Sequence, residues 1–413
     1  MRRILVFAKT PYSKTPYDRW LEGTGIEPVV LTTDGYAEEY RRHLRHVYAF
    51  ADYDTNQLVE KTALRLAREL GVEAVFARAE ADVLRAAQLR DLLDLPGQRT
   101  ASALAFRDKV VMKDHLKDHL KDHLAGGPVG LPDYRHVESA YTVLEFVEEH
   151  GYPVVVKPVS ESGSLGAAVI RDEADLDAYL ASPWRGTSMV ETFVEGQMFH
   201  IDGLVAGGEV VFVQPFRYVN DCLSFRSNDW VASLALEPGN PVYGRLVEAT
   251  RAVLDRLPTP ENTAFHCELW VTPDDRLVFC EIASRTGGGM IATTLIHARG
   301  IDVDREWLYA ECGLAVTPAD PVLRPFAGMC IPPLNGVLEY LPTEGEPDCV
   351  HERVLHGASG QTFHGGVKSG LFLAGYAVAG SSEEDVVANM ARVHTWFAET
   401  AKWRPLGSEE GAR

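Results

Sequence analysis

Short apolar runs alternate with amphipathic segments over the first hundred residues, and this alternation limits the folds open to the chain. The runs 3–8, 28–33 and 73–78 are rich in β-branched residues, as buried strands are. The segments 56–70 and 81–93 carry apolar residues three and four positions apart, which is the spacing of one helix face. Strand–helix alternation of this kind predicts a parallel sheet covered by helices. By itself it says nothing about function.

The composition argues against several classes of partner. The chain has 413 residues and a formal net charge of −19, so the clustered cations that bind nucleic acid or an anionic membrane are not expected. Its six cysteines form no CxxC pair, which is typical of buried thiols in a reducing compartment. The apolar run in MRRILVFAK is too short for a signal peptide, and no run approaches the roughly 18 apolar residues of a membrane helix. We therefore expect a cytoplasmic protein.

The most informative stretch is 263–285. Its centre, TPDD at 272–275, is a turn signal, and a hairpin centred there places Glu268 opposite Glu281. Two facing carboxylates repel unless a cation lies between them, and Mg²⁺ is the hard cation that binds carboxylates together with phosphate oxygens. A pair of solvated surface glutamates is the other interpretation.

Arg285 is followed by Thr-Gly-Gly-Gly at 286–289. A fixed guanidinium four residues beyond Glu281 is well placed to hold a phosphate or a substrate carboxylate by two parallel hydrogen bonds. The glycines, Gly288 among them, allow other groups to approach the backbone closely. A surface arginine before a flexible loop is the alternative.

Lys157 lies inside the apolar run 153–159, just before a small-residue loop at 160–167. A lysine buried in a strand costs stability unless it has an anionic partner. A small-residue loop offers backbone N–H groups to phosphates, although most such loops are only turns. The spacing matches neither a Walker A sequence nor GxGxxG, so neither of those nucleotide motifs applies.

These elements, in this order, resemble the ATP-grasp superfamily. The matching segments are FRDKVVMK (106–113), PVVVKPVSESGSLGA (153–167), MVETFVEG (189–196), FHCEL (265–269) and EIASRTGGG (281–289). Each is weak alone, and their order and spacing carry the resemblance. It implies an α/β protein, α+β in its ATP-grasp part, with a pre-ATP-grasp Rossmann-like N-terminal domain, a two-subdomain ATP-grasp fold and a C-terminal extension.

The resemblance also implies domain boundaries. Residues 1–100 are expected to form the pre-ATP-grasp α/β domain, and 101–190 the small subdomain with the glycine-rich loop. Residues 191–320 are expected to form the large subdomain with the metal hairpin. The last part, 321–413, is expected to be a C-terminal α/β extension that packs on the large subdomain.

Roles for individual residues follow from the resemblance alone. The expected catalytic groups are Lys157, Glu281 and Arg285. The residues expected to bind ATP are Lys109, Lys157, Ser162, Gly163, Ser164, Gly166, Glu191, Thr192, Phe193 and Glu195. The expected metal carboxylates are Glu268 and Glu281, with Mg²⁺ as the ion and Mn²⁺ as an alternative. Substrate contacts are expected at His200, Arg226, His266, Arg285 and Gly288.

Two positions depart from the family pattern. Many members have an asparagine metal ligand where this chain has Ala283, although the amino-acid ligases of the superfamily share the small residue. A glutamate is common where this chain has Met198, so Glu195 or His200 is the candidate for holding the ribose.

Within the superfamily, the chain most resembles L-amino-acid ligases and carnosine-synthase-like enzymes. This implies an ADP-forming carbon–nitrogen ligase that phosphorylates a small carboxylate, such as an amino acid, and transfers the acyl group to an amine, in specialised-metabolite biosynthesis. The expected partners are the small-molecule carboxylate and amine, and a homodimer is compatible. The alternatives are an ATP-grasp carboxylase-type enzyme and a non-catalytic nucleotide-binding protein on the same fold.

The repeat KDHLKDHLKDHL at 113–124 places three histidines at a spacing of four. That spacing drifts by about 40° per step on a helix, so the leucines form one apolar stripe and the histidines flank it. A metal site on the histidines is the alternative, but no nearby third zinc ligand is evident. The stretch exceeds the family's usual length by eight residues, so we expect a longer or displaced helix. The repeat leaves a second ATP lysine open among Lys113, Lys117 and Lys121.

Overall fold

The computed structural model describes residues 2–120, 129–183, 186–220, 229–366 and 371–406. Within them the chain forms four sheets with helices packed on their faces, so the predicted α/β class is confirmed. In these ranges no helix is both long enough and apolar enough to cross a membrane.

The N-terminal sheet is parallel, as the strand–helix alternation predicts. Its elements are β1 (Arg2–Ala8), α1 (Tyr17–Trp20), β2 (Ile26–Thr33), α2 (Asp34–Arg41), β3 (His46–Phe50), α3 (Leu58–Leu70), β4 (Ala74–Ala77), a 3₁₀ turn (Glu80–Asp82) and α4 (Val83–Leu93). The strand order is β3-β2-β1-β4, and every neighbouring pair is parallel. Strand β3, whose residues are all half-buried, was not predicted from the sequence.

The second sheet is smaller and antiparallel, with the order β5-β8-β6-β7. This part of the chain contains α5 (Thr100–Ala105), α6 (Lys109–Leu120), β5 (Tyr134–Val137), α7 (Ala140–His150), β6 (Val154–Pro158), β7 (Ala168–Ile170), α8 (Glu173–Ala181) and β8 (Ser188–Thr192). The helical segment that leads into the repeat is interrupted, so α5 and α6 are separate helices. Asp108 causes the break: its Oδ1 accepts hydrogen bonds from the N–H groups of Val110 at 2.9 Å and Val111 at 3.1 Å, which caps α6.

The largest sheet has eight strands, in the order β13-β12-β9-β10-β11-β14-β18-β16. The segment of the chain that builds its first five strands contains β9 (Gln197–Ala206), β10 (Glu209–Tyr218), β11 (Val231–Ala235), α9 (Tyr243–Arg256), β12 (Thr263–Val271), β13 (Leu277–Ala283), α10 (Ile291–Arg299) and α11 (Val303–Glu311). Alternate residues of β12, such as Phe265 and Cys267, pack into a core that also holds Met112 and Leu116 of α6. The intervening residues of β12 therefore face the other side of the sheet.

The C-terminal part joins this same sheet. It contains β14 (Phe326–Ile331), β15 (Asn335–Tyr340), β16 (Val350–Leu355), β17 (Thr362–His364), β18 (Ala374–Ala379), α12 (Glu383–Thr400) and β19 (Lys402–Arg404). Three of its strands continue the large sheet beyond β11, and the others form a small sheet in the order β17-β15-β19. The extension is thus hydrogen-bonded into the large sheet rather than only packed against it. The domain boundaries at residues 100, 190 and 320 stay predictions.

Candidate active site

Two glutamates face each other across the hairpin of β12 and β13. The strands pair Glu268 with Glu281, with a bulge directly after Glu268, so the predicted register is confirmed. Glu281 lies 3.1 Å from the Nζ of Lys109, and Glu268 Oε1 accepts a hydrogen bond from the hydroxyl of Tyr218 at 2.8 Å. Two carboxylates on one face of a sheet are the oxygen donors that Mg²⁺ prefers. The residues therefore fit the expected ion, and their role as its ligands stays a prediction.

Beside the hairpin, one glutamate holds two buried lysines. Glu191 of β8 lies 2.5 Å from the Nζ of Lys157 on β6 and 3.3 Å from the Nζ of Lys113 on α6. All three side chains are buried. Burial opposes the charge on Lys157, but Glu191 outweighs it and raises the pKa of Lys157. For Lys113 burial dominates and lowers its pKa, although Glu191 acts in the opposite direction.

This cluster explains how Lys157 is accommodated in a buried strand. The anionic partner that a buried lysine needs is Glu191, which the resemblance implied as a residue that binds ATP. The cluster contains two cations and one anion, so one positive charge is left for a ligand to neutralise. Of the three repeat lysines, Lys113 is fully buried in this cluster, Lys117 is paired with Asp114 at the surface, and Lys121 lies outside the described residues.

The small-residue loop at 160–167 is tied to the start of α6. The Nζ of Lys109 donates a hydrogen bond to the carbonyl of Glu161 at 2.7 Å. Gly163 and Gly166 have φ values of 63° and 74°, a left-handed conformation that glycine adopts without strain. The loop also contains Ser162 and Ser164. The predicted phosphate loop thus lies against a predicted phosphate lysine.

Three of the residues expected to bind ATP, Thr192, Phe193 and Glu195, lie where the chain passes from the small sheet to the large one. Thr192 is the last residue of β8, and Phe193 and Glu195 belong to the link to β9. Phe193 is exposed, with 43% of its surface accessible. Strand β8 ends at Thr192, because the chain there leaves the small sheet for the large one.

Arg285 is held by a residue that the sequence analysis did not single out. Its Nε and Nη2 donate to Glu80 Oε2 at 3.0 and 2.7 Å, and its Nη1 donates to the carbonyl of Thr286 at 2.8 Å. Arg107 also donates to Glu80, and to the carbonyl of Ser160 at 2.6 Å. Burial works against ionisation of Glu80, but the two arginines outweigh it and lower the pKa of Glu80 to about 2. Glu80 therefore links the N-terminal sheet to the hairpin and to the small-residue loop.

Asp202 lies between two of the histidines. Its Oδ2 is 2.5 Å from His200 Nδ1 and its Oδ1 is 3.0 Å from His266 Nδ1. The other ring nitrogen of His200 lies 2.7 Å from Ser233 Oγ, and the side chain is 0% exposed. The structure therefore does not support the expected ribose or substrate contact of His200, because the imidazole is enclosed beneath the site. Burial opposes the charge on His266, but Asp202 outweighs it and raises the pKa of His266 to about 9.

The remaining predicted positions lie apart from these contacts. Arg226 falls outside the described residues. Gly288 lies in the turn before α10, where an added Cβ would meet nothing within 4 Å. His115 is exposed on α6, and the described residues contain one group suited to a metal by residue type, namely His200, Asp202 and His266. No described group of metal-type ligands includes His115.

Comparison with known proteins supports the family resemblance that the sequence predicts. The model of the carbamoyl-phosphate synthase L chain ATP-binding domain matches residues 115–203. The L-arginine-specific L-amino acid ligase of Bacillus subtilis is 26% identical over 328 residues, which cover 76% of each chain. A D-alanine–D-alanine ligase of Desulforudis audaxviator is 33% identical over 160 residues, 36% of this chain and 48% of its own. The predicted resemblance to the ATP-grasp superfamily is thus confirmed.

Solved structures show that the ATP-grasp fold extends over the chain. The L-amino acid ligase of Bacillus licheniformis superimposes with a TM-score of 0.74 at 16% identity, covering 98% of this chain and 99% of its own. The N5-carboxyaminoimidazole ribonucleotide synthetase of Thermotoga maritima gives 0.66 at 16% identity, with coverage of 98% and 100%. Because the curated ATP-grasp relatives are named as ligases, the prediction of an ADP-forming carbon–nitrogen ligase is confirmed.

Four residues of this candidate site were not predicted from the sequence or stayed undecided. Glu80 and Arg107 act through contacts between distant parts of the chain, which a single sequence does not reveal. Asp202 had a usable signal, since HxD at 200–202 and HxE at 266–268 place polar groups two residues apart on strands. Lys113 was one of several equivalent lysines, and only its burial distinguishes it.

Proposed function

We propose that this ATP-grasp ligase joins the carboxylate of an amino acid, or of a similar small acid, to an amine through an acyl-phosphate. The observation that carries the proposal is the junction of Lys109, Glu281 and Arg285. Lys109 contacts Glu281 at 3.1 Å, and the strand that ends just beyond Glu281 leads directly to the arginine fixed by Glu80. The curated relative that spans 76% of both chains is an L-amino acid ligase, which supports an amino-acid substrate.

The contribution of the protein is charge neutralisation and positioning. Lys109 and Lys157 bring two ammonium groups to the phosphates, and the fully buried Lys113 adds a positive charge behind them, where Glu191 contacts both Lys113 and Lys157. Glu268 and Glu281 would hold Mg²⁺, which supplies charge stabilisation at phosphate oxygens when bound. The loop at 160–167 offers backbone N–H groups and restricts the access of water to a hydrolysable intermediate.

The proposed reaction has two steps. A carboxylate oxygen attacks the γ-phosphorus of ATP, and the bond from that phosphorus to the leaving oxygen of ADP breaks. The amine nitrogen then attacks the acyl carbon, the bond between that carbon and the phosphate oxygen breaks, and a proton passes from nitrogen to solvent. Arg285 retains N–H groups beyond those given to Glu80 and Thr286, and these hold the transferred phosphoryl group or the carboxylate.

A phosphate-release screen over pairs of amino acids tests the proposal. We expect phosphate and ADP release that requires one carboxylate and one amine, and hydroxylamine should trap the acyl group as a hydroxamate that identifies the carboxylate. The Glu281→Gln variant is the matched control, since it preserves size and removes one carboxylate. Release that requires bicarbonate instead would favour a carboxylase-type enzyme. Nucleotide binding without release over a wide panel would favour a non-catalytic protein and overturn the proposal.

The proposed homodimer is tested separately. Light scattering of the purified chain at several concentrations should give twice the mass of 45.6 kDa. A mass of one chain at every concentration would contradict it, without bearing on the reaction.

A further inference from the structure

The face of the large sheet that carries Glu268 also carries a continuous row of polar residues. On β9 and β12 the register pairs His200 with Glu268 and Asp202 with His266. Because side chains two apart on a strand share a face, these four lie together on the side opposite the apolar core. Ser233 on the same sheet stands at the far end of the row.

Hydrogen-bond distances connect this row from Ser233 to His266, and an ion-pair contact links His266 to Glu268. Ser233 contacts His200, and Asp202 joins His200 to His266 through its two oxygens, at 2.5 and 3.0 Å. His266 Nε2 then lies 3.5 Å from Glu268 Oε1, the same oxygen that accepts from Tyr218. Within the described parts of the chain, no residue donates a hydrogen bond to Glu268 Oε2. One oxygen of Glu268 is therefore held while the other stays available as a ligand.

The distances favour hydrogen bonds over a metal ion within the row itself. Two atoms that bind one Zn²⁺ tetrahedrally at about 2.0–2.1 Å lie about 3.3 Å apart. The oxygens of Asp202 lie closer than that to both histidines, at 2.5 and 3.0 Å. Each of these separations fits an N–H donor and a carboxylate acceptor.

We propose that Asp202 is a positioning residue, which acts through His266 to fix the orientation of the metal carboxylate Glu268. The proposal rests on the proposed function, because it takes Glu268 as a ligand of the divalent ion. Outer partners of this kind orient metal ligands and are commonly worth 10-fold or more in metal affinity. Asp202 is 2% exposed and is fully engaged by the two histidines, so it has no direct access to the ion.

Asp202 also bears on the turn that follows Arg285. An added Cβ at Gly287 would lie 2.7 Å from Asp202 Oδ1 and 3.0 Å from His266 Nδ1. The backbone of the turn therefore rests directly on the Asp202–His266 pair. The same carboxylate thus supports both the hairpin glutamate and the glycine turn.

Mn²⁺ binding to the full chain, measured from the free-ion electron paramagnetic resonance signal with a saturating non-hydrolysable ATP analogue, tests this role. We expect Asp202→Asn to raise the Mn²⁺ dissociation constant about 10-fold or more. His266→Asn keeps a donor for Asp202 but no longer reaches Glu268, so we expect a similar rise in the Mn²⁺ dissociation constant. The matched control is Glu306→Gln, which changes a fully buried carboxylate bonded to Thr317 and Arg305 and should leave the constant unchanged. Thermal unfolding of each variant shows which ones are folded.

The variant Glu268→Gln separates this inference from the proposed function. If it weakens Mn²⁺ binding while Asp202→Asn and His266→Asn bind as the wild type does, the positioning role is wrong and the proposed metal role stands. If Glu268→Gln binds Mn²⁺ normally, the proposed metal role fails and this inference fails with it. A further metal equivalent that the wild type binds without nucleotide, and Asp202→Asn loses, would show that the row is itself a metal site and would overturn the proposal.

Discussion

Replacing Lys113 by Met should leave the ligand-free protein as stable as before, or more stable, although it removes an ion pair. At 3.3 Å and an effective dielectric constant of about 20, the attraction between Lys113 and Glu191 is about 5 kcal/mol. Burying the ammonium group costs several kcal/mol, and repulsion from Lys157 adds to that cost. In the variant Glu191 keeps its contact with Lys157 at 2.5 Å. We expect the free energy of unfolding to change by between 0 and about +2 kcal/mol.

The opposite result is expected when the shared anion is removed. Glu191→Gln leaves two buried ammonium groups without their carboxylate partner. Breaking a buried pair from one side costs about 3–5 kcal/mol, because an uncompensated charge stays in the interior. The changes in the free energy of unfolding caused by Lys113→Met and Glu191→Gln should therefore differ in sign or by several kcal/mol.

Bound nucleotide should reverse the order of stability of Lys113→Met and the wild type. The variant cluster has one cation and one anion, so it lacks the excess charge that the phosphates would neutralise. Every tenfold loss of affinity removes about 1.4 kcal/mol of the stabilisation that a saturating nucleotide provides. A variant that is at least as stable as the wild type when empty should then be less stable than it with Mg²⁺ and a non-hydrolysable ATP analogue.

Urea unfolding with and without the analogue measures both effects. Lys117→Met is the matched control, because Lys117 lies on the same helix, is half-exposed and, among the described residues, pairs with Asp114 at 3.1 Å. It should change the free energy of unfolding by less than about 0.5 kcal/mol in either condition. If Lys113→Met destabilises the empty protein as much as Glu191→Gln does, the charge argument is refuted. If the analogue stabilises Lys113→Met as much as the wild type, Lys113 does not serve the nucleotide.

Three further outcomes follow from the same structure. Glu80→Gln removes a carboxyl group with a pKa of about 2. The free energy of unfolding at pH 7 should therefore be about 3 kcal/mol larger for the wild type than for the variant. Urea titrations should show this difference closing as the pH falls from about 5 to 2. Gly287→Ala places a Cβ 2.7 Å from Asp202 and should lower stability by about 1–3 kcal/mol, whereas Gly288→Ala, with open space around it, should stay within about 0.5 kcal/mol in the same denaturation assay. His115→Ala should retain nucleotide affinity and phosphate release, and equilibrium dialysis should find no loss of bound zinc, since His115 is exposed and belongs to no described ligand group.

Local signals predicted the hairpin and the parallel sheet well. The turn TPDD specifies where the chain reverses, and the two-residue alternation of its strands then fixes which residues face each other, so Glu268 and Glu281 were paired correctly. Helix α3 was equally readable, because its apolar face repeats regularly and Gly71 ends it with a φ of 63°. These features depend on residues close together in the sequence.

Features that depend on tertiary contacts were not predictable from this one sequence. Arg285 reads as an arginine poised for a phosphate, but its orientation comes from Glu80, 205 residues away. His200 reads as a polar residue near the site, yet it is enclosed because Asp202 and Ser233 occupy both of its ring nitrogens. In each case the residue type was informative, and the missing information was which distant side chain it meets.

The repeat KDHLKDHLKDHL shows where periodicity stops being informative. Lys109, Lys113 and Lys117 follow one another at a spacing of four, and each step rotates the side chain by about 40° around the helix. Lys109 and Lys113 are both buried against carboxylates, whereas Lys117 has turned about 80° away from Lys109 and lies at the surface. Lys113 of the first copy therefore lies in the candidate site, whereas Lys117 of the second copy lies outside it. Asp108 caps the start of α6 and so fixes where the helix begins. The direction in which each later lysine points around the helix depends on that start, and identical four-residue units therefore have different surroundings.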